Sequence, residues 1–151
     1  MKTIFLNIGD IVVSREPVIL KTVLGSCVAV CLWDEKLRSG GLNHCLLPKD
    51  PGSSDRPSNY CLSSVDMLVG IMTQQGSDIR NLQAKLFGGG SVMQALSQSF
   101  NVGKENVSTA KKKLSEYGIP LISEFTMSSY GMGLLFNTKT GKVLIRSFGT
   151  E

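Results

Sequence analysis

The order of apolar and polar residues predicts a series of short β-strands in the first third of the chain. Residues 3–8 alternate loosely, residues 18–24 are rich in β-branched side chains, and residues 11–13 are enough for a short strand. The run CVAVCLW at residues 27–33 is apolar without a break, which indicates a strand buried on both faces. A further strand is predicted at residues 42–47, because the proline that follows cannot continue it.

The middle of the chain shows the spacing of apolar side chains that is typical of helices. One helix is predicted from residue 59 to residue 75, with Asn59 as its N-terminal cap and a glycine directly after its end. Two more helices are predicted at residues 92–99 and 101–117. The segment 49–58 has two Pro, one Gly, three Ser and two Asp, which predicts a loop and a candidate flap.

Strands return in the last part of the chain. They are predicted at residues 83–87, 119–126, 134–137 and 142–147, and connections of hairpin length near both chain ends favour antiparallel pairing. The predicted fold class is α/β: a layered α/β sandwich with a mixed, largely antiparallel sheet and helices packed on it. Because no strand is followed by G-x-G-x-x-G, the pattern does not indicate a Rossmann fold.

Composition and charge exclude several classes of protein. The length of 151 residues predicts one domain over residues 1–151, and 42% apolar with 19% charged residues excludes a disordered chain. The formal charge of +4 is mild and the only basic triplet is Lys111-Lys112-Lys113, so no nucleic-acid partner is predicted. No apolar run is long enough to cross a membrane and the start lacks a secretory signal, so we expect a cytoplasmic protein without membrane insertion.

The four cysteines are expected to be thiols in that compartment. They are Cys27, Cys31, Cys45 and Cys61, and their spacing contains no C-x-x-C pair, which argues against a structural zinc site. A site built from Cys27, Cys31 and His44 is the remaining metal-binding alternative. Cys45 and Cys61 are interpreted as packing residues, and a redox sensor is disfavoured because no resolving cysteine stands at a familiar spacing.

The only histidine is His44, so any cysteine activated by an imidazole depends on it. It lies in LNHCLL on a predicted buried strand, where an imidazole without a partner would be costly. Cys27 follows a glycine bend at Gly25, where backbone N–H groups near residues 25–28 are candidates to hold an oxyanion. Cys27 is therefore either a nucleophile or the first buried residue of a strand, and the hydroxyl of Thr22 is a candidate third group that would orient the imidazole.

Cys31 is the competing nucleophile. Residues 27, 29 and 31 share one strand face, and a symmetric turn near residues 37 and 38 would put His44 closer to Cys31 than to Cys27. The glycine bend favours Cys27, because Cys31 lies mid-strand among apolar neighbours. The glycines 88–90 lack the Lys and Ser/Thr of a phosphate-binding loop, so we interpret them as close backbone packing beside a site.

Together these motifs resemble the CheD family, the chemoreceptor glutamine deamidases of bacterial and archaeal chemotaxis. They lie between about residues 8 and 146 in the family's order and spacing. The matching segments are Leu24-Gly25-Ser26-Cys27-Val28, like the family's LGSCV; Asn43-His44 with Leu47-Pro48, like H-x-x-LP; Leu86-Phe87-Gly88-Gly89-Gly90 with Met93, like FGGG-x-x-M; and Phe136 with Thr140-Gly141, like F-x-x-x-TG.

The resemblance implies a cysteine-dependent amidohydrolase that converts glutamine side chains of methyl-accepting chemotaxis receptors to glutamate. Such a protein-glutamine glutaminase needs no metal or organic cofactor. The resemblance implies Cys27 as nucleophile, His44 as general base and Thr22 as the third residue. It also implies a fold like the catalytic domain of the cytotoxic necrotizing factor toxins. The implied partners are the receptors and a CheC-type phosphatase, with the loop 49–58 and the mild positive charge as candidate contacts.

Two departures from the family pattern keep a second hypothesis open. The family often has Gly-Arg four residues before its phenylalanine, where this chain has Gly131 and Met132, and an acidic residue is common where it has Ser128-Ser129. The alternative is a non-catalytic adaptor that binds CheC or receptors in chemotaxis signalling. The presence of both Cys27 and His44 argues against it, since an adaptor has no chemical need for the pair.

Overall fold

The computed structural model describes residues 1–52, 55–91 and 97–149, which form strands and helices in a mixed order. The strands are β1 (Lys2–Phe5), β2 (Ile11–Ser14), β3 (Val18–Leu24), β4 (Val28–Asp34), β5 (Ser39–Asn43), β6 (Leu82–Gly88), β7 (Leu121–Thr126), β8 (Met132–Asn137) and β9 (Val143–Ser147). The α-helices are α1 (Cys61–Gln74) and α2 (Ser97–Tyr117), and short 3₁₀ turns span Pro57–Asn59 and Ile79–Asn81. None of these helices is both long and apolar enough to cross a membrane.

The strands form two sheets. The first has the order β1-β3-β8-β9, with β1 parallel to β3 and the other pairs antiparallel. The second has the order β2-β5-β4-β6-β7, in which β6 and β7 alone run parallel. The prediction of a mixed α/β fold with largely antiparallel pairing is confirmed, but the expectation of a single sheet is wrong.

The core has two parts because β4 is buried on both faces, as its unbroken apolar run predicted. Val28, Val30 and Leu32 pack with α1 and α2 on one side of the five-stranded sheet. Ala29 and Cys31 pack on the other side, against β3 and β8 of the four-stranded sheet. The molecule is therefore a three-layer sandwich, with helices, the five-stranded sheet and the four-stranded sheet in succession.

Most predicted strands are confirmed. The strand at 18–24 has its predicted ends, and those at 11–13, 27–33, 83–87, 119–126, 134–137 and 142–147 shift by at most two residues at either end. The first strand ends earlier than predicted, at Phe5.

The strand predicted at 42–47 is wrong, because β5 covers Ser39–Asn43 and ends before His44. Here the Asn43 side chain accepts the N–H of Val30 at 2.7 Å, a bond that a strand would make with its backbone. Pairing resumes only as an isolated bridge between Val28 and Cys45, with N–H···O distances of 3.0 and 2.9 Å. His44 thus lies outside the regular strand, in a segment that still runs alongside β4.

All three helix predictions need a correction. The residue before α1 is Tyr60 rather than Asn59, because residues 57–59 form a 3₁₀ turn instead. The helices predicted at 92–99 and 101–117 are one helix from Ser97 in the described residues, and the segment around residue 100 contains no proline that would end it. Residues 92–96, and with them Met93 of the family motif, lie outside the described residues.

Cys45 and Cys61 form a disulfide, so the expectation that all four cysteines are thiols is wrong for this pair. The two residues meet because the start of α1 lies against the segment after His44, where the Cys61 N–H donates to the Leu47 carbonyl at 2.7 Å. Their Cα atoms are 5.1 Å apart, within the range that a disulfide spans. Cys27 and Cys31 are free thiols, as predicted.

Candidate active site

A hydrogen-bonded group at the centre of the molecule joins β3 to the segment that carries His44. The Thr22 hydroxyl is fully buried, donates to the Leu6 carbonyl at 2.8 Å and lies 2.7 Å from His44 Nδ1. A hydroxyl has one hydrogen, and the Leu6 carbonyl can only accept. With that hydrogen directed to Leu6, Nδ1 must carry a proton and donate it to the Thr22 oxygen. The geometry therefore leaves the Nε2 lone pair as the basic site of the imidazole.

His44 is held in its neutral form. It is 4% exposed, and burial lowers its pKa below the ordinary value, more than the nearby Asp10 charge and the Leu6 carbonyl raise it. A neutral imidazole with a free Nε2 can accept a proton near neutral pH. The structure thus gives His44 the protonation state that a general base requires.

His44 faces the side of the five-stranded sheet that carries both free thiols. Its contact with Thr22 of β3 directs the ring toward the four-stranded sheet, the side on which Cys27 and Cys31 also lie. Cys45, the next residue, packs in the opposite half of the core with α1 and α2. The alternation of neighbouring side chains therefore places His44 and the free cysteines on a common face.

The pairing register decides how His44 relates to the two thiols. Cys31 lies opposite Leu42 and Val28 opposite Cys45, so the same register puts Ala29 opposite His44. Cys27 and Cys31 each lie two residues from Ala29, which makes both diagonal neighbours of His44. The expectation of a turn near residues 37 and 38, with His44 closer to Cys31, is wrong because Asp34 pairs with Ser39 and centres the turn one residue earlier.

Burial distinguishes Cys27 from Cys31. Cys31 is 2% exposed in the middle of β4 and lines a cavity of about 90 Å³ with Trp33 and Lys85, between the sheets. Cys27 is 8% exposed and precedes the first residue of β4. Burial raises the pKa of both thiols, and for Cys27 its own backbone N–H opposes the shift. Cys27 is therefore a protonated thiol at rest, and a base has to remove its proton when it reacts.

The glycines 88–90 lie directly against the segment that contains Cys27. The Gly89 N–H donates to the Cys27 carbonyl and the Gly90 N–H to the Gly25 carbonyl, each at 2.8 Å. Gly88 has a φ of +101°, and a Cβ there would lie 2.2 Å from the Cys27 carbonyl oxygen. Only glycine fits this approach, so the prediction that these glycines serve close backbone packing is confirmed.

The N–H groups expected to hold an oxyanion are fewer than the sequence suggested. The Val28 N–H donates to the Cys45 carbonyl at 3.0 Å and is not available to a substrate. Among the backbone hydrogen bonds of the described residues, none has the N–H of Gly25, Ser26 or Cys27 as its donor to another residue. These three groups are the candidates that the geometry leaves.

Asn106 is a residue near Cys27 that sequence reasoning missed. It lies on α2, is fully buried, and its side-chain amide donates to the Ser26 and Leu46 carbonyls at 3.1 and 3.0 Å. A signal was present, since Asn106 stands at four-residue spacing with Ala110 and Leu114 on the apolar face of α2. An amide on such a face needs a partner, and here the partners are the segments on either side of the thiol.

The metal-binding alternative built from Cys27, Cys31 and His44 finds no support in the described part of the chain. Within residues 1–52, 55–91 and 97–149, no group of three or more His, Cys, Asp or Glu side chains is arranged to hold a metal ion. Met132, which stands where the family often has arginine, is buried between the two sheets.

Comparisons with known proteins agree with the motifs. A family model described as CheD chemotactic sensory transduction matches residues 46–147. The chain is 36% identical over 145 residues to the chemoreceptor glutamine deamidase CheD of Thermotoga maritima, covering 95% of this chain and 91% of that protein. It is 37% identical over 147 residues to the probable chemoreceptor glutamine deamidase CheD 1 of Methanosarcina acetivorans, with the same coverage of 95% and 91%.

One solved structure shows a related fold. It is the Bacillus licheniformis hypothetical protein YfiH, with a TM-score of 0.50 and 16% sequence identity. The match covers 80% of this chain but 51% of that one, so this chain spans about half of its length.

Proposed function

This chain belongs to the CheD family, and on that premise we propose that it hydrolyses glutamine side-chain amides of chemoreceptors to glutamate. The two relatives compared above are named as deamidases of this kind, and matches to them span nearly the whole chain. The enzyme is accordingly a hydrolase of the protein-glutamine glutaminase type. The methyl-accepting receptors are its proposed substrate and the cytoplasm is its proposed location.

The first half of the proposed reaction forms a thioester at Cys27. His44 Nε2 accepts the thiol proton as Cys27 Sγ attacks the glutamine amide carbon. Backbone N–H groups of residues 25–27 stabilise the tetrahedral oxyanion. The C–N bond then breaks, and the leaving nitrogen takes the proton from His44 and departs as ammonia.

The second half regenerates the thiol. His44 Nε2 accepts a proton from water, whose oxygen attacks the thioester carbon. The C–S bond breaks, the sulfur recovers the proton, and the product is a glutamate side chain. The sum is one amide and one water converted to one carboxylic acid and one ammonia, which ionise to carboxylate and ammonium, and no metal or organic cofactor takes part in the proposed reaction.

The observation that carries this proposal is the hydrogen-bonded sequence from Leu6 through Thr22 to His44 Nδ1. It supports Thr22 as the group that orients the base, because it accepts from Nδ1 and so leaves Nε2 unprotonated. In a nucleophile–base–orienter arrangement the orienter lies within hydrogen-bond distance of the base, as Thr22 does of His44 here, and the nucleophile comes within that distance in the substrate complex. Cys27 is preferred to Cys31 as nucleophile because it precedes β4 and retains some exposure, whereas Cys31 lies mid-strand.

The experiment is mass spectrometry of a receptor cytoplasmic fragment incubated with the wild-type protein and with Cys27→Ala. The proposal predicts Gln-to-Glu conversion with equimolar ammonia release by the wild type only. Cys31→Ala is the matched control, a second buried free thiol, and it is expected to convert the fragment at the wild-type rate. Binding of the fragment without conversion would instead support the non-catalytic adaptor.

A CheC-type phosphatase is the proposed protein partner, with the loop 49–58 as contact. The described end of this loop supports that role because it lies beside the His44 segment. Arg56 forms an ion pair with Asp10 at 3.2 Å, and the Asn59 carbonyl accepts the N–H of Leu46 at 2.7 Å. A partner bound there would lie next to the site. Titration calorimetry with a CheC-type protein tests this, and Arg56→Glu is expected to weaken binding if the contact is correct.

Two finer expectations stay predictions. One is that residues 1–151 form a single deamidase domain, which a single cooperative unfolding transition would support. The other is the likeness to the catalytic domain of the cytotoxic necrotizing factor toxins.

A further inference from the structure

The amide of Asn106 connects the two segments that carry the proposed nucleophile and base. Its Nδ2 donates to the carbonyl of Ser26, the residue before Cys27, and to the carbonyl of Leu46, two residues after His44. Both neighbours are carbonyl oxygens, which accept and do not donate, so the amide nitrogen must face them. By the register that pairs Val28 with Cys45, Leu46 is the residue opposite Cys27.

Burying the Asn106 amide costs free energy that a residue which only fills space would not cost. The side chain is fully buried, and among the described residues its Oδ1 has no hydrogen-bond partner. Burying an amide oxygen without a partner costs free energy that an apolar side chain would avoid. The contribution of this residue therefore lies in its two N–H donors and in what they hold.

The helix that carries Asn106 also supports the glycine segment beside Cys27. Gly103 lies one turn earlier on α2, and a Cβ there would come within 2.5 Å of the Gly89 carbonyl oxygen. The glycine segment in turn donates to the carbonyls of Gly25 and Cys27. With the Asn106 bond to Ser26, each of the three successive carbonyls 25–27 accepts a hydrogen bond from α2 or from the glycine segment.

The carbonyl and N–H groups of this segment differ in what they contact. The carbonyls accept bonds from α2 and the glycine segment, whereas the N–H groups of Gly25, Ser26 and Cys27 donate to no backbone acceptor among the described residues. The same contacts fix where the Cys27 backbone lies relative to the His44 segment. Without these contacts, the isolated bridge between Val28 and Cys45 would restrain the Cys27 backbone less firmly relative to the His44 segment.

We propose that Asn106 is a positioning residue for the deamidation: its amide sets the separation of the Cys27 and His44 segments and so the approach of the thiol to the base. This inference rests on the proposed function for its meaning in catalysis. The underlying claim is that the effects of Asn106 and His44 on the reactivity of the Cys27 thiol depend on each other. This claim can be tested without the substrate.

The test compares full-length Asn106→Leu, which keeps a similar volume but removes both donors, with the wild type. We expect kcat for a receptor fragment to fall about tenfold to a hundredfold with KM nearly unchanged, because a displacement of order 1 Å at a reacting atom has that effect. Thr138→Val is the matched control. Thr138 is also fully buried and bonds backbone groups, but at Val18, away from Cys27. It should lose stability and keep kcat.

A second readout needs no receptor. The rate at which iodoacetamide alkylates Cys27, read by peptide mass spectrometry, is measured for wild type, Asn106→Leu, His44→Ala and the double variant. If Asn106 positions the thiol for His44, each single variant slows alkylation about tenfold or more and the double variant is no slower than His44→Ala. Asn106→Ala, which removes both donors and adds neither bulk nor charge, replaces Asn106→Leu if the latter does not fold by circular dichroism.

The outcomes separate the two proposals. Wild-type kcat in folded Asn106→Leu, or additive effects on alkylation, would overturn the positioning role and leave a residue that only stabilises the fold. A coupled alkylation cycle in a protein that deamidates no receptor fragment would support the positioning role and remove the proposed function.

Discussion

Replacing Thr22 with valine removes the hydroxyl that links Leu6 to His44 while keeping the shape of the side chain. In the wild type this hydroxyl makes contacts of 2.8 Å to the Leu6 carbonyl and 2.7 Å to His44 Nδ1. Valine satisfies neither group, and both are buried. Leaving a buried polar group without its partner costs about 1–3 kcal/mol, so we expect the free energy of unfolding of Thr22→Val to fall by about 2 kcal/mol or more.

The effect on catalysis follows from the imidazole rather than from stability. Without an acceptor at Nδ1, the proton is free to move to Nε2, and the tautomer that accepts a proton from Cys27 is no longer favoured. Loss of the Nδ1 acceptor also disfavours the imidazolium, so the pKa of His44 falls further below its ordinary value. We therefore expect kcat/KM for a receptor fragment to fall by about two orders of magnitude.

The assay is the rate of glutamine conversion as a function of pH, with urea unfolding measured on the same samples. Thr22→Ser is the matched control, because it keeps the hydroxyl and is expected to retain most of the wild-type rate. Thr22→Val with wild-type kcat/KM would refute the assignment of Nδ1 as the oriented nitrogen. A stability loss of equal size in both variants, with no difference in rate, would refute it as well.

Four further predictions follow from single contacts or from burial. Because burial lowers the pKa of His44 below the ordinary 6.5, the unfolded chain binds the extra proton first as pH falls, so the free energy of unfolding should decrease below pH 6.5, and His44→Ala should lack this component in urea titrations. Because the pKa of His44 is lowered, kcat/KM should begin to fall with decreasing pH only below pH 6.5; a fall that begins above pH 6.5 would mean that His44 is not the base. Cys61→Ser opens a disulfide across a sequence separation of 16, which should lower the free energy of unfolding by about 3 kcal/mol in chemical denaturation, and dithiothreitol should reproduce the loss in the wild type but not in the variant. Gly88→Ala, at φ +101° with the Cys27 carbonyl 2.2 Å from the new Cβ, should cost more than about 1 kcal/mol and reduce kcat, whereas Gly52→Ala, also at positive φ but with open space around its Cβ, should cost stability without reducing kcat.

Strand positions could be predicted from the chain because local patterns determine them. The unbroken apolar run at 27–33 indicated a strand with cores on both sides, and β4 has helices on one face and the second sheet on the other. The division into two sheets could not be predicted, since no local pattern says which strands pair over long separations. β3 pairs with β8 across more than a hundred residues.

The end of β5 before His44 could not be predicted, for a specific physical reason. The side chain of Asn43 takes the N–H of Val30, and this ends β5 before His44, where alternation suggested that the strand continues. A side chain that replaces a backbone partner leaves no trace in the hydrophobic pattern. The disulfide between Cys45 and Cys61 was missed similarly, because it depends on where α1 begins relative to the His44 segment.

Some residues of the site could likewise be predicted from the sequence, and others could not. Cys27 and His44 could be proposed from residue type, a glycine bend and the family motifs. Thr22 was a candidate by type alone, and its contact with Nδ1 adds a geometric reason. Asn106 could not be connected with Cys27 from the chain, since about eighty residues separate them and only the packing of α2 brings them together.

The central claim is that Cys27 attacks the receptor amide, and trapping the thioester tests it most directly. A receptor fragment is mixed with excess wild-type protein, the reaction is stopped with acid within one turnover, and the protein is mapped by mass spectrometry. The account predicts a thioester between the receptor fragment and the peptide that contains Cys27. This adduct should be absent in Cys27→Ala. Conversion of glutamine by Cys27→Ala at the wild-type rate, or an adduct on Cys31, would contradict it.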